Sequence, residues 1–334
     1  NLQNLLLKGI KNKIKILKIK IFLQDKNNIT ISIVNVKNFK LNFDEKKNHN
    51  SLVLNGKVFN LPFKMVYYNN FYKNESNLNI NFKKIKLNFE SISKNSDFYS
   101  SKNEIRFLNS KFITEINNKK NNNTYEITSN NSKINQTDIV YKGAINIKPF
   151  YFDFYFQAKN VNLFNVIFFN KLFENAIKNF FLNNSNLNGI IKVNLSEIKK
   201  NNYFEDGKIL LNIKRGNFDL SGSEFLIKDI GKIKIISNQI FLDEDKVNLQ
   251  LNSKFVIENQ EKLYKKFLIP RKNRFNLKNI YFLMDIYPPS REVIFSNFEI
   301  NEKDNKFFQN TNFTINSWQD LRSMFNKLLI NYDG

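Results

Sequence analysis

Residues 204–220 read FEDGKILLNIKRGNFDL. Ile209, Leu211 and Ile213 stand two apart, with Lys208 and Asn212 on the other phase. Side chains of an extended chain alternate between faces, so this spacing predicts a strand with one oily and one polar side. The neighbouring stretches repeat the pattern. NLNGIIKVNLSEI (186–198) puts Ile191, Val193 and Leu195 on one face, opposite Lys192 and Asn194. GSEFLIKDIGKIKII (222–236) follows. KVNLQLNSKFVIEN (246–259) then groups Val247, Leu249 and Leu251 opposite Asn248 and Gln250. Short polar turns join these runs. The expected product is a sheet with a continuous apolar face, which either packs on something or holds something.

The period changes just upstream. In 161–182, Leu163, Val166, Ile167, Phe169, Phe173, Ala176, Ile177 and Phe180 fall at helical spacing. Asn165, Asn170, Lys171, Glu174 and Asn179 make the segment too polar to cross a bilayer. It reads as an amphipathic helix that packs on the sheet or plugs its end.

Further upstream the strand pattern returns. In KIKILKIKIF (13–22) the pairs Ile14/Ile16 and Ile19/Ile21 are out of phase, and the break at Leu17–Lys18 is expected to be a bulge. LVLNGKVFNLPFKMVYY (52–68) reads as a hairpin with Asn55–Gly56 as its turn. Pro62 belongs at an edge or a strand start, because it donates no ladder hydrogen bond. Downstream, 262–275 is a basic connector, helical at first and broken by Pro270. Two more strands follow, LKNIYFLMDIY (277–287) and REVIFSNFEIN (291–301). In SWQDLRSMFNKLLI (317–330), Ser317 and Asp320 form a capping box ahead of a Leu321, Met324, Phe325, Leu328 and Leu329 stripe. Strand-like runs recur about every 10–15 residues, which favours antiparallel β architecture over βαβ units. The expected fold is mainly β: a long antiparallel meander curled into an open groove, with an inserted amphipathic helix and a C-terminal helix. Its expected parts are 1–160 and 161–334.

Composition excludes more than it assigns. With 334 residues and 42% hydrophobic content the chain can bury a sizeable core. Gly and Pro are scarce, at 9 and 5, so Asn is expected to carry turn duty. Lys and Arg outnumber Asp and Glu by 52 to 30. The lysines are spread along the chain at alternating strand positions, the pattern of a solvated outer face. There is no Cys, which excludes disulfides and thiolate metal sites. The first residue is Asn1, not Met, which sets the expectation of a mature or truncated product with a signal or anchor upstream.

The chemistry of the side chains argues against an enzyme. The single His, His49, is expected in a Lys/Asn loop, where it reads as a solvated surface residue and not as a triad base, and without Cys no Cys-His set can be built. No zinc, calcium or phosphate-loop motif is present. Asp243, Glu244 and Asp245 read as a turn, and nothing fixes the spacing of Asp285 and Glu292. No cofactor and no metal are expected. Single-strand nucleic-acid binders combine basic grooves with exposed aromatics. Here the Phe residues share phases with Ile and Leu, which leaves nucleic acid as the lesser alternative.

Several stretches resemble the AsmA-like family of Gram-negative envelope proteins, the YhdP and TamB type. They are VLNGKVFNLPFKMVYY (53–68), with its G-x-V-x-x-x-P-F pattern, and the order from 161 onward: an apolar helix, NLNGIIKVNLSEI, FEDGKILLNIKRGNFDL and FLIKDIGKIKI. The terminal INSWQDLRSMFNKLL (315–329) also resembles the ends of such chains. The resemblance implies a repeating β-groove, here a C-terminal portion. It implies a periplasmic protein tethered to the inner membrane by an N-terminal helix absent from this chain. Its implied partners are phospholipid, the inner membrane and the outer membrane, whose biogenesis such lipid transport supports. The residues allow the same function without the family. A strand of eight residues spans ~26 Å, and each CH₂ it covers contributes about 0.8 kcal/mol. The expected groove lining is Ile191, Val193, Leu195, Ile209, Leu211, Ile213, Val247, Leu249 and Leu251. The competing expectation is an envelope scaffold whose oily faces only pack on each other.

Overall fold

The structure is a computed structural model. It describes residues 13–24, 30–44, 48–58, 61–95, 98–108, 110–119, 123–134, 137–162, 185–198, 204–243, 246–287, 292–301, 303–304, 313–315 and 317–330. The chain is mainly β and falls into two units, Asn1–Ile147 and Lys148–Gly334. The division lies ahead of the expected 160/161 boundary, because the strand Phe150–Lys159 pairs into the second unit.

The first unit is an antiparallel meander. Its strands are β1 (Ile14–Gln24), β2 (Thr30–Asp44), β3 (His49–Val58), β4 (Leu61–Asn70) and β5 (Glu75–Phe82). There follow β6 (Leu87–Asn95), β7 (Phe98–Phe107), β8 (Ser110–Lys119), β9 (Thr124–Ile134) and β10 (Thr137–Ile147). Each pairs antiparallel with the next. No pairing between β1 and β10 is seen among the described residues, so the sheet is open. The phase break in β1 has a backbone cause: Lys18 sits at φ 60°, in the left-handed region. The neighbouring β2 is bulged against β3 between Val36 and Asn38.

Two expectations change here. Asn55–Gly56 is not a turn: Gly56 lies inside β3, and Val58 pairs with Leu61 across the true hairpin. A Cβ on Gly56 would lie 2.6 Å from the Asn35 carbonyl oxygen and 3.3 Å from the Phe63 ring. Glycine marks a close backbone approach at this point. His49 is the first residue of β3, with its ring 6.3 Å from that of Tyr68.

The second unit opens with β11 (Phe150–Lys159) and β12 (Gly189–Ser196), which run parallel. This departs from a pure meander. Parallel neighbours need a crossover of a dozen or more residues, and 160–188 supplies it. The helix expected there lies outside the described residues except at Val161 and Asn162. Antiparallel strands follow: β13 (Phe204–Lys214), β14 (Asn217–Asp219), β15 (Glu224–Ile227), β16 (Gly231–Asp243) and β17 (Lys246–Ile257). Asp243 pairs with Lys246 at the end of the β16–β17 ladder, and Glu244 and Asp245, expected as a turn, lie outside the described residues. After α1 (Gln260–Phe267) come β18 (Asn279–Tyr287), β19 (Glu292–Ile300), β20 (Lys303–Asp304) and β21 (Phe313–Ile315), then α2 (Trp318–Ile330).

The helices close the core of this unit. α1 starts where the Asn259 side chain accepts from the Lys262 N–H at 3.0 Å, and ends at Leu268 with φ 56°. The basic connector is therefore amphipathic: Leu263, Tyr264 and Phe267 are buried and Lys262 and Lys265 exposed. The capping box of α2 closes in both directions. Ser317 N–H donates to Asp320 Oδ2 at 2.8 Å, and Asp320 N–H to Ser317 Oγ at 3.3 Å. Leu321, Met324, Phe325, Leu328 and Leu329 are all buried. Replacing Asp320 by Ala is expected to destabilise this unit by about 1 kcal/mol. The measurement is the urea midpoint followed by fluorescence of the single Trp, Trp318 at the start of α2.

Candidate functional site

Strand register decides whether the nine expected lining residues share a face. Ile191 pairs with Leu211, Val193 with Ile209, and Leu195 with Gly207. Gly207 pairs with Phe225, Phe225 with Ile233, and Ile233 with Phe255. Phe255, Leu251, Leu249 and Val247 alternate along β17, so all nine lie on one side of the second unit's sheet.

Burial then splits the nine. Leu251 belongs to the closed core beneath the helices and Leu249 packs against it. Phe325 of α2 reaches Phe255 at 5.8 Å and Phe267 of α1 at 4.7 Å between ring centroids. Val247, Leu195 and Ile213 are buried as well. Ile191, Val193, Ile209 and Leu211 are only half-buried. These four sit on β12 and β13, beside β11, and take no part in the core that α1 and α2 close.

β11 contributes residues absent from the expected lining. Phe154 pairs with Ile191 and Phe156 with Val193, giving the rows Phe154–Ile191–Leu211 and Phe156–Val193–Ile209. Phe152, Phe154 and Phe156 form an aromatic ladder with centroids 6.3 and 5.8 Å apart. The signal was the alternation in FYFDFYFQ, and only the parallel pairing joins it to β12. Tyr155 points to the other face, where its hydroxyl accepts from Asn194 Nδ2 at 2.8 Å.

The first unit carries its own apolar face. Leu54, Met65, Ile80, Phe89, Ile105 and Phe112 follow one another in register from β3 to β8. The next row over, Leu52–Tyr67–Leu78, becomes Ser91–Asn103–Thr114 from β6 onward. A third row, Asn50–Asn69–Ser76–Ser93–Ser101, is polar from β3 to β7. These polar groups are tied to each other. Ser76 Oγ lies 2.7 Å from Ser93 Oγ, and Asn103 Nδ2 donates to Ser101 Oγ at 2.9 Å. Buried hydrogen-bonding groups need such partners. The face is thus an apolar band flanked by a hydrogen-bonded Asn/Ser band, which alternation alone does not reveal.

The opposite face of the first unit is the charged one. Lys102 pairs with Glu115 at 3.2 Å, Lys111 with Glu104 at 3.4 Å, and Lys133 with Asp138 at 3.2 Å. Partial burial pushes the Glu104 carboxyl up, but the Arg106 hydrogen bond and the Lys111 and Arg106 charges outweigh it and hold it below the usual carboxylate range. Asp285 accepts from Gln250 at 2.8 Å in the second unit. Among the described residues no group of His, Cys, Asp and Glu could hold a metal ion, and no helix is long and apolar enough to cross a membrane. Compared with known proteins, the chain matches no family model, no curated protein and no solved structure.

Proposed function

We propose that the chain is a non-enzymatic lipid carrier whose apolar sheet faces hold phospholipid acyl chains, in the manner the AsmA-like resemblance implies. In that reading it works in the periplasm, between the inner and the outer membrane. One observation carries the proposal. Among the described residues, the face formed by Phe154, Phe156, Ile191, Val193, Ile209 and Leu211 is half-buried and lies outside the core that α1 and α2 close farther along the sheet. Acyl chains need no specific polar chemistry to bind there, since each covered CH₂ contributes about 0.8 kcal/mol.

The test is native mass spectrometry with lipid extraction on protein purified without detergent. Phospholipid is expected to co-purify. It is expected to be lost in the Val193→Asp/Leu211→Asp double variant, while the urea midpoint at Trp318 stays near wild type. Leu249→Asp should instead unfold the second unit, because Leu249 packs against the closed core. A lipid-free wild-type protein would sink the carrier reading. The scaffold reading would then stand, supported by the closed core that joins β15–β19 to α1 and α2.

A further inference from the structure

Lysines are concentrated in the stretch of sequence that carries the first four strands. Residues 11–70 hold twelve Lys against three acidic residues, Asp25, Asp44 and Glu45. Four of them, Lys18, Lys20, Lys37 and Lys57, line a cleft of about 540 Å³ together with Ile19 and Phe63. The backbone explains why charge and apolar surface meet. By simple alternation Lys20 and Lys57 lie on the outer face and Ile19 and Phe63 on the inner one. The left-handed Lys18 and the bulge at Lys37 break that alternation on two adjacent strands. Gly56, with no side chain against Asn35 and Phe63, lets the backbones close up at the bend.

The four lysines differ from those of β7–β10. There Lys102, Lys111 and Lys133 each have a carboxylate partner. Among the described residues no carboxylate pairs with Lys18, Lys20, Lys37 or Lys57. Ammonium groups gathered at one cleft repel each other unless an anion joins them, and phosphate is the anion that lysine point charges suit. We infer that this cleft binds the phosphate of an anionic amphiphile, with Ile19 and Phe63 meeting the first part of its tail. The inference rests on the lipid-carrier reading and gives it a headgroup class. The apolar lining favours an amphiphile over a nucleic-acid strand, which needs a basic track with stacking aromatics.

The experiment uses the full chain and vesicle flotation. The probes are phosphatidylcholine vesicles with and without phosphatidic acid, titrated inorganic phosphate, and a single-stranded DNA oligomer. The variant is Lys18→Gln/Lys37→Gln/Lys57→Gln, and the control is Lys73→Gln/Lys83→Gln/Lys84→Gln at exposed turns. Circular dichroism checks that both keep their strand content. Wild type and control are expected to prefer phosphatidic acid vesicles, and the cleft variant to lose roughly a hundredfold in affinity for them. Equal binding to both vesicles, or a preference that survives in the cleft variant, overturns the inference and leaves the carrier reading intact. Saturable phosphate binding that the cleft variant abolishes, without any vesicle binding, overturns the amphiphile in favour of free phosphate, and the carrier reading is decided separately by the lipid extraction. DNA binding that the cleft variant alone loses, with no vesicle preference, overturns the amphiphile.

Discussion

Phe325→Ala is expected to lower the stability of the second unit by about 3–5 kcal/mol, the range for truncating a buried aromatic. Phe325 is 2% exposed and touches two elements at once, Phe255 on β17 and Phe267 on α1. Its neighbours Leu328 and Leu329 are equally buried, so the site has no room to collapse into solvent. Removing the ring leaves a cavity between sheet and helices in addition to the lost transfer energy. Urea unfolding followed at Trp318 measures the effect. Phe154→Ala is the comparison, since Phe154 is half-buried and has less to lose. A Phe325→Ala shift under about 1 kcal/mol, or one no larger than that of Phe154→Ala, would mean that α2 does not close this core.

Much of this arrangement was legible in local residue order, and the reasons are specific. The strands around Ile209 and Leu249 alternate cleanly, and alternation is a property of single strands. The capping box at Ser317 and Asp320 is equally local, since both partners lie within one turn. What failed to show depended on residues far apart in the chain. Asn55–Gly56 has the composition of a hairpin turn, yet Gly56 is set by its contact with β2. SNLNINFKKIKLNFES (76–91) alternates over about ten positions, but Lys83–Ile85 form a tight turn and Lys86, at φ 53°, reverses the chain. The helical face of α1 was hidden among lysines, although Leu263, Tyr264 and Phe267 carry the spacing. The candidate site divides for the same reason. Ile191 and Leu251 are indistinguishable in pattern, yet Ile191 is half-buried and only Leu251 joins the core that α1 and α2 close. Alternation tells which side of a strand is oily; it does not tell what covers that side.

Gly231→Ala is expected to cost about 3 kcal/mol or more, the upper end of overpacking effects. Gly231 is the first residue of β16 and is buried where this strand passes β17. A Cβ there would overlap the Val256 carbonyl oxygen and lie 3.1 Å from Ile257 Cα. Those neighbours are backbone, so no rotamer change relieves the contact. The consequences extend past the two strands. The Ile230 carbonyl accepts from both Glu258 and Asn259 N–H, at 2.8 and 2.9 Å. Asn259 is also the cap of α1, so a displaced β16 start loosens the point from which the helix is launched. Ile227, Ile230 and Leu263 share the core with Phe255, so the loss spreads into the apolar cluster. The exposed Lys234→Ala on the same strand is expected to change stability by less than about 0.5 kcal/mol. Hydrogen exchange of the α1 amides distinguishes local from global effects. Faster exchange in α1 than in β13 places the damage at the β16–α1 junction. Unchanged unfolding and exchange in Gly231→Ala would show that β16 and β17 do not approach this closely, and would remove the account of how α1 is positioned over the sheet.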